Sequence, residues 1–134
     1  MTSTPESQAR EFLLQAFRHN RYRFENKTDG ESGFDLWMID QVTGDRTHAE
    51  LKAHTGKYQR PRDLVDRLIF NSTKEKELFE SGNSVLIRVF LGSMPQKVFI
   101  VTNRILGKEA KLIPEARYVL RGKVTYDGAY EELA

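Results

Sequence analysis

Residues 46–54 read Arg-Thr-His-Ala-Glu-Leu-Lys-Ala-His, and this stretch restricts the fold more tightly than any other in the chain. Side chains on a strand alternate between its two faces. An extended segment here therefore puts His48, Glu50, Lys52 and His54 on one side and Thr47, Ala49, Leu51 and Ala53 on the other. One face is ionisable and the other is small or apolar. Just upstream, 34–41 is a dense apolar run containing Trp37 and Ile39, which predicts a largely buried strand. Val42-Thr43-Gly44-Asp45 between them has turn chemistry, so the two strands form a hairpin.

Register decides which face of the first strand meets the ionisable face of the second. A two-residue loop (Thr43-Gly44) or a four-residue loop (Val42 to Asp45) pairs positions whose numbers sum to about 87 by strand geometry. Asp35 then lies opposite Lys52, and Trp37 opposite Glu50, so Asp35, Glu50 and Lys52 converge. A three-residue loop would turn Asp35 away. Two carboxylates and a lysine on a partly buried face are costly unless paired. A divalent cation between the acids relieves their repulsion, while the lysine gains from both carboxylates and from a bound phosphate. A metal-dependent phosphodiester hydrolase needs such a set: oxygen ligands for a hard cation and a lysine beside the attacking water. The competing reading makes Lys52 a plain ion-pair bridge between Asp35 and Glu50.

The rest of the chain places this hairpin in an α/β arrangement. Ala9, Phe12, Leu13, Ala16 and Phe17 share one helical face, with Thr4 as N-cap and Pro5 at the first position, which predicts a helix over 5–19. Glu11 points opposite that face. Residues 21–26 alternate as a strand, and 27–33 form a polar, glycine-bearing loop. The loop 56–62 carries Lys57, Gln59, Arg60 and Arg62, the residues expected to contact backbone phosphates. Residues 63–70 suit either a short helix or an extended segment. Ser72-Thr73-Lys74-Glu75 has the capping-box pattern and Gly82 a natural stop, so 73–81 is expected to be helix. Strands are expected at 84–91, 96–102 and 116–124, with a short helix at 103–108; the tail 127–134 is unassigned. No linker or internal repeat appears, so residues 1–134 form a single domain, a mixed sheet flanked by helices.

Composition removes several chemistries. The chain has no cysteine and only three histidines (His19, His48, His54), which excludes thiolate sites and disfavours a histidine-rich zinc site. Oxygen ligands favour magnesium, manganese or calcium. The formal charge is only +2. Its distribution says more: six acids stand against Arg46 alone between Asp29 and Glu50, whereas bases cluster at Arg10, Arg18, Arg21, Arg23 and Lys27 and again between Arg104 and Lys123. No apolar run approaches the about 18 residues of a membrane span, and the first residues carry no apolar signal core. A cytoplasmic protein with no membrane partner is expected.

With Gly33-Phe34-Asp35 on one strand and Glu50-Leu51-Lys52 on the next, between a leading helix and a later helix and strand, the chain resembles the PD-(D/E)XK nuclease superfamily over roughly 5–102. It is most similar to small restriction-endonuclease-like domains in which a GxD…ExK hairpin precedes a segment like Asn71-Ser72-Thr73-Lys74-Glu75 and a strand like 85–90. The resemblance implies an αβββαβ core with a central mixed sheet. It implies that Asp35, Glu50 and the Leu51 backbone carbonyl bind Mg2+ or Mn2+, and that Lys52 orients or activates water. Ser32-Gly33-Phe34 stands where many members carry a proline before the aspartate, and Glu11 does not match the first-helix glutamate of some branches.

The expected function is hydrolysis of DNA, more than RNA, with Asp35, Glu50 and Lys52 as the candidate catalytic residues and a homodimer as a family implication. His48 and His54 flank the site as auxiliary groups, or simply fill the hairpin rim. Two rivals stand beside this. One is a catalytically silent module of the same fold binding nucleic acid or a protein, and the other is an interaction protein of a phage or defence system.

Overall fold

In the computed structural model, which describes residues 4–31, 34–106, 110–114, 118–122 and 130–133, the first helix starts as its cap predicts. Thr4 Oγ1 accepts the Ser7 N–H at 3.1 Å, and Pro5 opens α1 (Pro5–Glu11). The regular helix is shorter than the expected 5–19. Over Phe12–Ala16 it widens into a π-helical turn closed by Phe17 N–H to the Phe12 carbonyl at 2.8 Å. Phe17 then leaves the helical backbone and packs between Phe12 and Phe24, with ring centroids 5.9 and 6.0 Å away.

Among the described residues nine strands follow: β1 (Tyr22–Asn26), β2 (Leu36–Asp40), β3 (Arg46–His54), β4 (Leu68–Phe70), β5 (Ser84–Phe90), β6 (Lys97–Val101), β7 (Ala110–Pro114), β8 (Tyr118–Gly122) and β9 (Tyr130–Leu133). The second helix, α2 (Thr73–Ser81), begins with Ser72 Oγ accepting the Glu75 N–H and ends at Gly82 in the left-handed region. Six strands make one mixed sheet in the order β1-β2-β3-β5-β6-β9, and β4-β8-β7 make a second, antiparallel one. The fold is α+β. In the large sheet only β3 and β5 run parallel, so the chain between them must cross over, and it carries a 3-10 turn (Pro61–Val65), β4 and α2. The ambiguous 63–70 segment thus divides between turn and strand. Of the predicted helix at 103–108, a 3-10 turn spans Asn103–Ile105 and 107–109 lie outside the described residues. The late strand is β8, with 116, 117, 123 and 124 outside them, as are 127–129 of the tail, whose end forms β9.

Both faces of the large sheet are covered. Ala9 and Leu13 pack with Leu36, Met38, Ala49, Leu51, Ile87 and Val89 on one side. On the other, Phe79 of α2 and Leu64, Leu68 and Phe70 pack with Leu86, Phe90 and Phe99. Each large apolar side chain so buried contributes about 2–3 kcal/mol. Among the described residues no helix is long and apolar enough to cross a membrane.

The hairpin differs from its predicted register. Leu36 pairs with Ala49, and Trp37 with His48 where Glu50 was expected, a slip of two residues. The cause is Asp40. Its Oδ1 accepts the Val42 and Thr43 N–H groups at 2.9 and 3.2 Å, Arg21 Nε donates to its Oδ2 at 2.9 Å, and Asp40 N–H closes on the Asp45 carbonyl at 2.9 Å. The four-residue loop therefore occupies 41–44 rather than 42–45, with Gly44 at φ +82°, where a side chain is strained. Asp40→Ala should lower unfolding free energy by about 1–2 kcal/mol. Denaturant titration at neutral pH would show this as a lower midpoint with an unchanged slope.

Candidate active site

A slip of two preserves parity, so Asp35, Glu50 and Lys52 still share a face. Asp35 sits one residue before β2, with its N–H donating to the Ala49 carbonyl at 3.0 Å. One further step of the ladder sets it opposite Glu50, not Lys52. Its Oδ2 accepts the Leu51 N–H at 2.8 Å, and Arg10 of α1 donates to its carbonyl at 3.0 Å. The aspartate is thereby held by the strand that carries the glutamate and lysine.

Glu50 and Lys52 point into the layer beneath α2 and are 2% and 6% exposed. This burial exceeds what the alternation alone suggests. It is stabilised by Glu75 in the first turn of α2, whose Oε1 accepts from Lys52 Nζ at 2.9 Å and whose Oε2 accepts the Asn71 N–H at 2.8 Å. Glu50 lies within hydrogen-bonding reach of the Glu75 and Asp35 carboxyls. Burial, then Glu75 and Asp35, push its carboxyl up to about 9. Burial also pushes Glu75 upward, but the Lys52 ammonium, with Glu50 adding to it, outweighs this and holds Glu75 below the usual range. Burial and its two carboxyl neighbours thus hold Glu50 toward its protonated form, while Glu75 is paired with Lys52. Glu50 Oε1 is buried with no hydrogen-bond partner.

Glu75 and Glu6 were both missed in the sequence. Glu6 is exposed at the start of α1. Partial desolvation and the nearby Asp35 raise its carboxyl, with Lys52 and Arg10 opposing. A signal for it existed: Glu6 precedes buried Ala9 by three residues and Leu13 by seven, on the same helical stripe. Glu11, weighed instead, is exposed. In the sequence Glu75 shows only as half of a capping box.

A strand residue directs its N–H and C=O to the same side, so the Leu51 carbonyl faces the Asp35 side of β3, beyond the start of β2. His48 stacks on Phe34 at 4.1 Å between centroids and meets Trp37 edge-on at 4.6 Å, as rim packing. His54 has both ring nitrogens engaged, with Nδ1 accepting from Gly56 N–H at 2.8 Å and Nε2 against Asp66 Oδ2 at 2.9 Å. Such a ring pins the end of β3 and is not poised as an auxiliary base. Lys57, Gln59, Arg60 and Arg62 are exposed on the loop after β3, where Asp63 Oδ2 accepts the Gln59 and Arg60 N–H groups. Gly33 lies outside the described residues, as do Lys108, Arg117 and Lys123 of the late basic cluster.

Among the described residues no three His, Cys, Asp or Glu groups converge as a ready metal cage. Magnesium does not require one, because it keeps several waters and is held through one or two carboxylates. Asp35 and Glu50 on adjacent strands, with an unpartnered buried carboxyl oxygen, fit that pattern.

Glu50 also sets a pH dependence. A carboxyl that ionises near 4.5 unfolded but about 9 folded binds its proton only in the folded state between those values, so stability falls as pH rises through that window. Without metal, Glu50→Gln should melt roughly 5 °C above the parent at pH 8, and the two should coincide at pH 4. Equal melting temperatures at both pH values would refute a protonated Glu50.

No protein-family model, curated protein or solved structure matches the chain.

Proposed function

We propose that the chain is a metal-dependent nuclease of restriction-endonuclease-like fold that hydrolyses phosphodiester bonds in DNA. One observation carries the reading: Asp35 and Glu50 meet on adjacent strands, with Lys52 one alternation further along the same buried face and an oxygen of Glu50 left without a partner. The element order α1-β1-β2-β3-α2-β5, with β3 and β5 parallel neighbours, supports the expected core, β4 being an addition to it.

In this reading Asp35, Glu50 and the Leu51 carbonyl hold Mg2+ or Mn2+. When bound, such a cation lowers the pKa of its water and neutralises charge on the phosphate. The chain's own groups do the rest. Leu51 N–H fixes the Asp35 carboxylate, Glu75 positions the Lys52 ammonium, and Lys52 orients the attacking water and stabilises the charge gathering on phosphate. Glu50 must give up its proton to act as a ligand, so metal affinity rises with pH below about 9.

Purified protein with magnesium or manganese should cut plasmid, single-stranded or branched DNA. Glu50→Ala and Lys52→Ala should each slow cleavage by roughly 100-fold or more. Cleavage surviving both substitutions would remove the site from the chemistry. Salt-sensitive DNA binding without cleavage would identify a silent module of the same fold.

A further inference from the structure

Beside the carboxylate centre lies a cleft of about 390 Å3 whose polar lining comes from Thr4, Glu6, Lys52, Arg67, Asn71 and Arg88. Three of these are cations and one is an acid, and none belongs to the phosphate-contact loop expected from the sequence. Arg88 comes from β5, beside Lys52 in the parallel ladder, and is 1% exposed. Its guanidinium is held by backbone carbonyls: Nη1 by those of Lys52 and Ala53, both at 3.4 Å, and Nη2 by that of Asp66. Nε is buried without a partner. The nearby Asp66 carboxylate is committed to His54 at 2.9 Å. A buried cation resting on carbonyl dipoles is incompletely compensated and attracts an anion.

Arg67 adds a second guanidinium to the lining. Its backbone is left-handed at φ +54°, which few non-glycine residues adopt, and its side chain is 79% exposed, reaching Asp66 only at 4.0 Å. Lys52, tied to Glu75, joins this cleft to the carboxylates. Guanidinium forks beside an ammonium match phosphate oxygens in geometry and charge.

We propose that this cleft is a phosphate-binding subsite in which Arg67 and Arg88 receive the phosphate next to the bond being cut. The position relative to the cut bond rests on the nuclease reading; the affinity for phosphate does not. The ligand is either a backbone phosphodiester or a terminal phosphomonoester of the same strand.

Calorimetric titration of the full chain without divalent metal separates these sources. Its arms are inorganic phosphate, a short oligonucleotide with a 5′-phosphate and the same oligonucleotide with a 5′-hydroxyl. Comparable binding of both oligonucleotides assigns the site to a phosphodiester; a preference of roughly tenfold or more for the phosphorylated one, with binding of inorganic phosphate, assigns it to a terminal phosphate. In either case Arg67→Ala should weaken binding roughly tenfold or more and Arg67→Lys should restore part of it. Arg67 is exposed, so these variants keep the fold, which circular dichroism checks. Equal affinities for the parent and Arg67→Ala, or no binding by the parent in any arm, would overturn the subsite. Absence of metal-dependent cleavage would instead sink the nuclease reading and leave the measured phosphate affinity standing.

Discussion

Strand β3 is paired along both edges and covered on both faces, and its ionisable face therefore has to be accommodated inside the protein. Ala49 and Leu51 pack toward α1 without difficulty. Glu50 and Lys52 must be accommodated beneath α2, where an uncompensated charge would cost several kcal/mol. Glu75 answers the lysine, Glu50 keeps its proton, and Asp35 is fastened by a backbone N–H. Removing one partner of such a buried set is far more damaging than losing a surface pair. The first turn of α2 is accordingly committed to the site: Ser72 caps the helix, Asn71 N–H holds Glu75, and Glu75 holds Lys52.

The same crowding gives the site its chemical character. Glu50 is 2% exposed beside Glu75 and Asp35; burial and these carboxyls hold it toward its protonated form, and one of its oxygens has no partner. Arg88, resting on the carbonyls of Lys52 and Ala53, extends the imbalance in the opposite sign on the next strand. Carboxyls and cations thus lie side by side along one sheet face.

Local pattern accounts for what was readable in advance. The alternation of 46–54 identified β3, the capping box identified α2 to the residue, and Thr4-Pro5 marked the start of α1. Hairpin parity was readable too, although the register was not. The sequence places the turn at Val42-Thr43-Gly44-Asp45, while the group that sets it is Asp40, pinned by Arg21 just before β1. The widened turn at Phe12–Ala16 likewise answers to an aromatic contact with β1 that helical periodicity does not register.

By itself, the sequence determined that Asp35, Glu50 and Lys52 share a face, because that follows from a period of two and an even turn, both local properties. Only the tertiary structure decided that this face is buried, that Glu75 and Glu6 join it from two helices, and that Arg88 and Arg67 open a cationic cleft at its side. Those residues lie far from the hairpin in sequence or on separate elements, and their charges act through space. Periodicity describes which way a side chain points along its own element; the packing of elements determines what it meets there.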